Sequence, residues 1–253
     1  MMVLGIDTAT EMVSVALVDG DELVGAGESR SDRRHAEDLA PMIDFVTKRA
    51  GINLGDVEAI AVDVGPGLFT GMRVGIAAAQ ALAHVLSVPL VGVDGLEALV
   101  AATTHRTDHD LVVPTIDARR NEVAWSIHRV RDDGSTTRVA APTVGTLDAL
   151  ALSLRERAQS ALLIGQYAHS KCDALIEALG PQSWTISFGD STHTFPHAKH
   201  VAAIAHSRLV RGDVFADDAV QDATEPDAHA PTVTALYLRE ADAEINWVSR
   251  GSS

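Results

Sequence analysis

Two short apolar runs in this chain end in aspartate, at Asp7 and at Asp117, and a short polar turn follows each. The first turn reads Asp7-Thr8-Ala9-Thr10 and the second Asp117-Ala118-Arg119-Arg120. Paired turns of this kind suit phosphate binding, in which backbone amides close on an anion. A close approach of main chain to phosphate calls for glycine, and neither turn has one. Two readings stand: a phosphate clamp that has decayed or been repurposed, or two aspartates that cap turns after strands. A third segment, Gly65-Pro66-Gly67-Leu68-Phe69-Thr70-Gly71-Met72-Arg73, is dense enough in glycine and proline to build a rigid strand-to-helix turn. Thr70 is placed to cap the following helix, whose first amides then face an anion or a partner, with Arg73 adding charge.

Eleven histidines offer further chemistry. His105 and His109 are four apart, and His193, His197 and His200 cluster near Pro196. His35 and Glu37 stand at the start of a helical pattern. Each set reads more simply as solvated surface than as a metal site, because the neighbouring segments are polar and no further ligand lies close in sequence. No Gly-x-Ser-x-Gly elbow supports a hydrolase. Cys172 is the single cysteine, so an internal disulfide and a thiolate zinc site both lack their ligands, and a reducing cytosol fits.

The charge narrows the function further. With 20 Lys and Arg against 35 Asp and Glu, the formal charge is −15. A lone nucleic-acid binder neutralises phosphates with basic residues, so unaided binding to RNA, DNA or an anionic membrane is not expected. A basic n-region with a long apolar stretch behind it is missing from the start, and no run of about 18 apolar residues reads as a spanning helix. A soluble, cytoplasmic protein is expected.

These residues need elements to hold them. Residues 3–7, 13–18 and 22–28 read as strands, with Asp19-Gly20-Asp21 as a hairpin turn. Leu39, Met42, Ile43, Val46 and Ala50 share one helical face, Gly51 stops that helix, and Pro41 marks a kink or the effective start. A buried strand at 59–64, a helix at about 70–85 and a strand at 89–93 complete a layered α/β half with parallel pairing. A second half opens with strands at 111–117 and 122–130, joined through residues 118–121. A strand at 161–164 and a helix at 201–210 follow. The expected boundaries are 1–104 for the first half, 105–215 for the second and 216–231 for an acidic loop or linker. Residues 232–253 return to the first half. The wider acidic run from 211 to 231 carries Asp213, Asp217, Asp218, Asp222, Glu225 and Asp227.

Two α/β halves, each with an aspartate at the end of its first strand, resemble the actin-like, sugar-kinase-like ATPase layout, with mixed sheets in both. Asp7, Thr8 and Asp117 would be its vestigial phosphate loops. More specifically, Ile6–Thr10, His35–Pro41, Gly65–Arg73, Val91–Leu99, Asp117–Arg119 with Glu122-Val123, and Tyr237-Leu238-Arg239 together resemble the TsaB (YeaZ) family. The blocks run in order over nearly the whole chain. Leu68 stands where the family has Ser, which removes a hydroxyl from the motif loop of Gly65, Pro66, Gly67, Thr70 and Arg73. The resemblance implies a non-catalytic subunit in the threonylcarbamoylation of adenosine 37 in tRNAs that read codons starting with A. It implies a heterodimer with a larger catalytic TsaD-type paralogue, a TsaE-type ATPase as further partner, and a homodimer when alone. tRNA is met only through the complex; the isolated chain is expected to hold no cofactor, and only the complex could take a nucleotide. The paralogue holds a metal through His-x-Glu-Gly-His, and the matching segment here is Gly95-Leu96-Glu97-Ala98-Leu99, so no metal and no catalytic residue are expected. Pairing through helix faces is implied, with Leu39, Met42, Ile43 and Val46 on one helix and Gly71, Gly75, Ala78, Ala79 and Leu82 on the other. The competing class is a stand-alone ATPase or small-molecule kinase that uses Asp7 and Asp117.

Overall fold

The computed structural model describes residues 1–30, 34–103, 109–157, 159–182, 184–212, 233–236 and 238. His105, the linker expected at 216–231, and most of 232–253 lie outside the described residues.

Apolar strands and an acidic hairpin turn open the first half. β1 (Met2–Asp7), β2 (Met12–Asp19) and β3 (Glu22–Arg30) form an antiparallel meander, and Gly20 takes the left-handed conformation the β2–β3 turn needs. α1 (His35–Ala50) follows and ends at Gly51 in the left-handed region. Glu37 and Asp38 in its first turn, with Lys48 and Arg49 in its last, complement the helix dipole. The helix runs unbroken from His35 through Pro41, so it does not begin near the proline. β4 (Ala59–Asp63), α2 (Phe69–Leu86), β5 (Leu90–Val93) and α3 (Gly95–Ala101) complete the half. The sheet order is β3-β2-β1-β4-β5, with β1, β4 and β5 parallel. The parallel strands are buried on both faces, as their continuous apolar sequences require.

The second half repeats this order. β6 (Leu111–Asp117), β7 (Glu122–Val130) and β8 (Thr136–Thr146) form its meander, followed by α4 (Leu147–Arg155), β9 (Ala161–Ile164), α5 (Gln166–Ser170), α6 (Cys172–Leu179), β10 (Ile186–Phe188) and α7 (Ala198–Arg211). The order β10-β9-β6-β7-β8, with β6 parallel to β9 and antiparallel to β7, is the first sheet's order on a second set of strands. β8, α3 to α6 and β10 have no counterpart among the elements expected from the sequence.

α1 and α2 cover one face of the first sheet, and α7 covers the other through Val201, Ala202 and Ala205. Although α7 follows the second half in the chain, it packs on the first. Residues 233–236 also lie there: Val233 is buried against the α1–α2 core, and the Leu236 amide donates to the Val64 carbonyl at 2.7 Å. The halves meet through α3, whose Leu96, Leu99 and Val100 pack on Val112, Ile116 and Ile164 of the second sheet. Ion pairs fasten this junction. Arg138 on β8 reaches Asp94 at 2.8 Å and Glu97 at 3.5 Å, and Glu97 is held in turn within the first half by Arg208 of α7 at 2.6 Å.

Candidate functional site

Aspartates at the ends of β1, β4 and β6, and one just after β5, do the same local work. The Oδ1 atoms of Asp7, Asp63, Asp94 and Asp117 accept the amides of Ala9, Gly65, Leu96 and Arg119 at 2.8, 2.7, 2.9 and 2.8 Å. Each closes a turn two residues on, which is the short-range bond that makes aspartate common at such corners. For Asp7 and Asp117 the capping reading therefore describes the geometry. Asp117 sits half-buried beside a turn in which Arg119, Arg120 and Asn121 all have positive φ.

The first loop is filled rather than open. A Cβ on Gly67 would lie 2.0 Å from the Ala9 carbonyl oxygen, and one on Gly71 would lie 2.2 Å from that of Thr8. Main chain therefore packs on main chain where a phosphate would need room. Thr8 Oγ1 donates to the Gly71 carbonyl at 2.7 Å and also faces Gly75, while the Leu68 amide donates to Ala9 at 2.6 Å. The Gly65–Pro66 bond is cis, and the Gly65 carbonyl accepts from Gly95. A phosphate does not fit beside residues 8–10 without displacing the start of α2.

Two expectations for this loop are corrected. Leu68, not Thr70, stands at the N-cap of α2 and supplies no capping oxygen, while Thr70 is exposed in the first turn. The Arg73 guanidinium lies over the Phe69 ring at 3.9 Å on the surface, so it does not line an anion pocket.

The helix faces also differ from expectation. Leu39, Ile43 and Val46 are buried in the chain's own core, as are Gly71, Gly75 and Ala79, while Met42, Ala78 and Leu82 are partly buried against it. The buried six follow helical spacing because they cover the sheet, and they offer nothing to a partner. The outward face is a different set: Ala77 and Ala81 are exposed, as are Phe45, Phe69 and Val85 at 52%, 49% and 78%. One signal for it was present in the sequence. α2 is apolar nearly all round, and such a helix has more apolar surface than one sheet can cover.

Among the described residues, no group of three or more His, Cys, Asp or Glu is placed to hold a metal. The buried His35 ring bonds the Thr10 carbonyl at 2.8 Å, which ties α1 to the first loop. His193 pairs with Asp190 and His197 with Glu28, each at 2.9 Å, and His109 meets Ser187 Oγ at 2.9 Å. Burial holds the His200 imidazole down near a pKa of about 4, with Lys199 and its two neighbouring histidines adding to the effect. In Gly95–Leu99, the stretch the resemblance sets against a metal motif, only Glu97 carries a side-chain ligand atom, and it is bound to Arg208. A metal does not fit there.

Two features were missed. Asp63 lies beside Asp7 across the β1–β4 pair, and its own strand-end position was the available signal. Glu11 reaches Arg30 at 3.0 Å and Arg119 at 3.7 Å, so it links the first loop to the second.

Residues 29–247 match the family model TsaD, tRNA N6-adenosine threonylcarbamoyltransferase. The tRNA threonylcarbamoyladenosine biosynthesis protein TsaB of Escherichia coli is 37% identical over 134 residues, 53% of this chain and 58% of that protein. The Haemophilus influenzae protein of the same name is 39% identical over 126 residues, 50% of this chain and 53% of its own length. The chain thus spans somewhat more than half the length of these two relatives. The Bacillus subtilis TsaB protein aligns over 98% of both chains at 24% identity. Among solved structures, a Pseudomonas aeruginosa protein described as similar to peptidase YeaZ superposes with a TM-score of 0.74 at 27% identity, covering 94% of this chain and 99% of that one. The dehydratase component A of Acidaminococcus fermentans shares the fold alone, with a TM-score of 0.51 at 12% identity over 83% of this chain and 99% of its own. The duplicated mixed sheets have the actin-like, sugar-kinase-like architecture.

Proposed function

Because the chain belongs to the tRNA N6-adenosine threonylcarbamoyltransferase family, and within it to the TsaB (YeaZ) group, we propose that it is a non-catalytic subunit of threonylcarbamoyladenosine synthesis. Its task is to hold a larger TsaD-type paralogue, which performs threonylcarbamoyl transfer to adenosine 37 of tRNA. The observation that carries this reading is the outward face of α1 and α2. Phe45, Ala77, Ala81 and Val85 leave apolar surface exposed on a helix pair whose inner face is already satisfied. A TsaE-type ATPase joins that pair, and when the paralogue is absent a second copy of this chain takes its place on the same face. Among the described residues no helix is long and apolar enough to cross a membrane, and the proposed work is cytoplasmic.

The competing class, a stand-alone ATPase or kinase, needs Asp7 to meet a phosphate or its metal. Asp7 is fully buried and its loop is packed against Gly67 and Gly71. Calorimetry of the isolated chain with Mg-ATP is therefore expected to give no binding heat and no turnover. Tight binding with turnover would restore the enzyme reading. Nucleotide is expected to bind only once the complex has formed.

The charge of −15 supports leaving tRNA contact to the paralogue. In a gel-shift titration the isolated chain is expected to leave tRNA unshifted at micromolar concentration. A shift that weakens with salt would contradict this division of labour.

A further inference from the structure

The ends of β1 and β4 hold two acids with no base between them. Ile6 and Val62 are register partners, so Asp7 and Asp63 stand side by side, and both are 0% exposed. Each Oδ1 is taken by its turn amide. Each Oδ2 is sealed from water and has no partner so long as both groups are ionised. Among the described residues neither carboxyl is paired with a Lys or Arg. Beyond Asp63, just after β5, lies a third acid, Asp94, and Arg138 of β8 is engaged by Asp94 and Glu97. On the α1 side, His35 is bound to the Thr10 carbonyl. Two unpaired carboxylates cannot both stay ionised in such a place.

We propose that Asp7 and Asp63 share one proton in the native state, and that this proton clasps the first loop (residues 8–11) to the loop that starts α2 (residues 64–68). With the proton between them, both Oδ2 atoms gain the partner they lack. The two turns shaped by these aspartates are the ones that interlock through Leu68–Ala9 and Thr8–Gly71. Removing the proton sets two like charges beneath both turns. Burial is the main cause raising both acids, and the charge of Asp7 raises Asp63 further. Asp7 is pushed up to about 7, so the pair titrates as a unit near and above neutrality.

The sign follows from linkage. The native pair keeps protons that the unfolded aspartates lose at a pH of about 4. The pair's contribution is therefore greatest in acid and declines as pH rises from there, until its last proton has left.

The test uses the full chain. Infrared spectroscopy at pH 7 is expected to show a protonated carboxyl that is absent in Asp63→Asn. Between pH 6 and 9, amide exchange at residues 65–72 is expected to accelerate in the wild type by roughly tenfold beyond its chemical pH dependence, as local opening grows. In Asp63→Asn that excess disappears, because an amide donates to Asp7 without titrating. Absence of the protonated carboxyl at pH 7 overturns the proposal, as does excess exchange that persists in both Asp63→Asn and Asp7→Asn. If neither variant folds, the wild type decides: the infrared band and the exchange at 65–72 must titrate with one midpoint, and separate midpoints overturn it.

Discussion

Gly71→Ala is expected to lower the thermal midpoint of the chain by roughly 6–12 °C, corresponding to a loss of about 3 kcal/mol. The added Cβ would stand 2.2 Å from the Thr8 carbonyl oxygen, and neither side of that contact can give. Thr8 belongs to a loop fixed by Asp7, His35 and Thr10, while Gly71 sits in the first turn of an 18-residue helix that is packed on the sheet. The clash therefore has to move α2 or the first loop. Gly67→Ala meets the Ala9 carbonyl at 2.0 Å and is expected to behave alike. Gly55→Ala is the control, since a Cβ there meets nothing within 4 Å, and its midpoint is expected to stay within about 2 °C of the wild type. Scanning calorimetry of the three variants checks this. A Gly71→Ala midpoint equal to that of the control would mean that the glycines of the motif are not there for close packing.

The second large effect concerns binding rather than folding. Ala81→Glu and Val85→Glu place a charge at the centre and at the end of the outward α2 stripe. Both are expected to leave the thermal midpoint nearly unchanged, because those positions face solvent in the free chain. In a complex with the TsaD-type paralogue the same charge would be buried without a partner. Affinity is then expected to fall by about 100-fold or more, enough to abolish co-elution on size exclusion. Ala79→Glu is the contrast. Ala79 is 0% exposed in the chain's own core, so that variant is expected to unfold and to report nothing about the interface. Undiminished co-elution of folded Ala81→Glu and Val85→Glu would remove this face from the account.

Which parts of the fold were legible follows from how each element buries its side chains. β1, β4, β5 and β6 are covered on both faces, so their sequences are near-continuous apolar runs that read as strands without help. α1 is half-covered and shows a clean helical stripe. The strands that escaped notice lie at the edges. β8 is a long edge strand that holds Pro142 and polar alternation, and β10 is a three-residue edge. In α4, Leu150, Leu152 and Leu154 follow at every second position, which imitates a strand. Only the structure shows Leu150 and Leu154 inside with Leu152 at 57% exposure.

The candidate site divides in the same way. The Asp7 and Asp117 turns were legible because an aspartate at a strand end makes a local bond. The Asp7–Asp63 pairing was not, since it depends on which strands become neighbours. The motif block at Gly65–Arg73 was legible as a turn, but what Gly67 and Gly71 touch lies about sixty residues away, at Ala9 and Thr8. The helix stripes misled for a physical reason. Helical spacing marks residues that share a face, and the tightest-packed small residues, Gly71, Gly75 and Ala79, face the chain's own sheet.

The most direct measurement of the central claim is reconstituted threonylcarbamoyl transfer to tRNA by the TsaD-type enzyme and its ATPase, with and without this chain. Modified adenosine is expected to form only when the chain is present. It is also expected to be lost with Val85→Glu, although that variant folds. Undiminished transfer in the absence of the chain, or full support by Val85→Glu, would contradict the claim that the chain works by holding its paralogue through the outward face of α1 and α2.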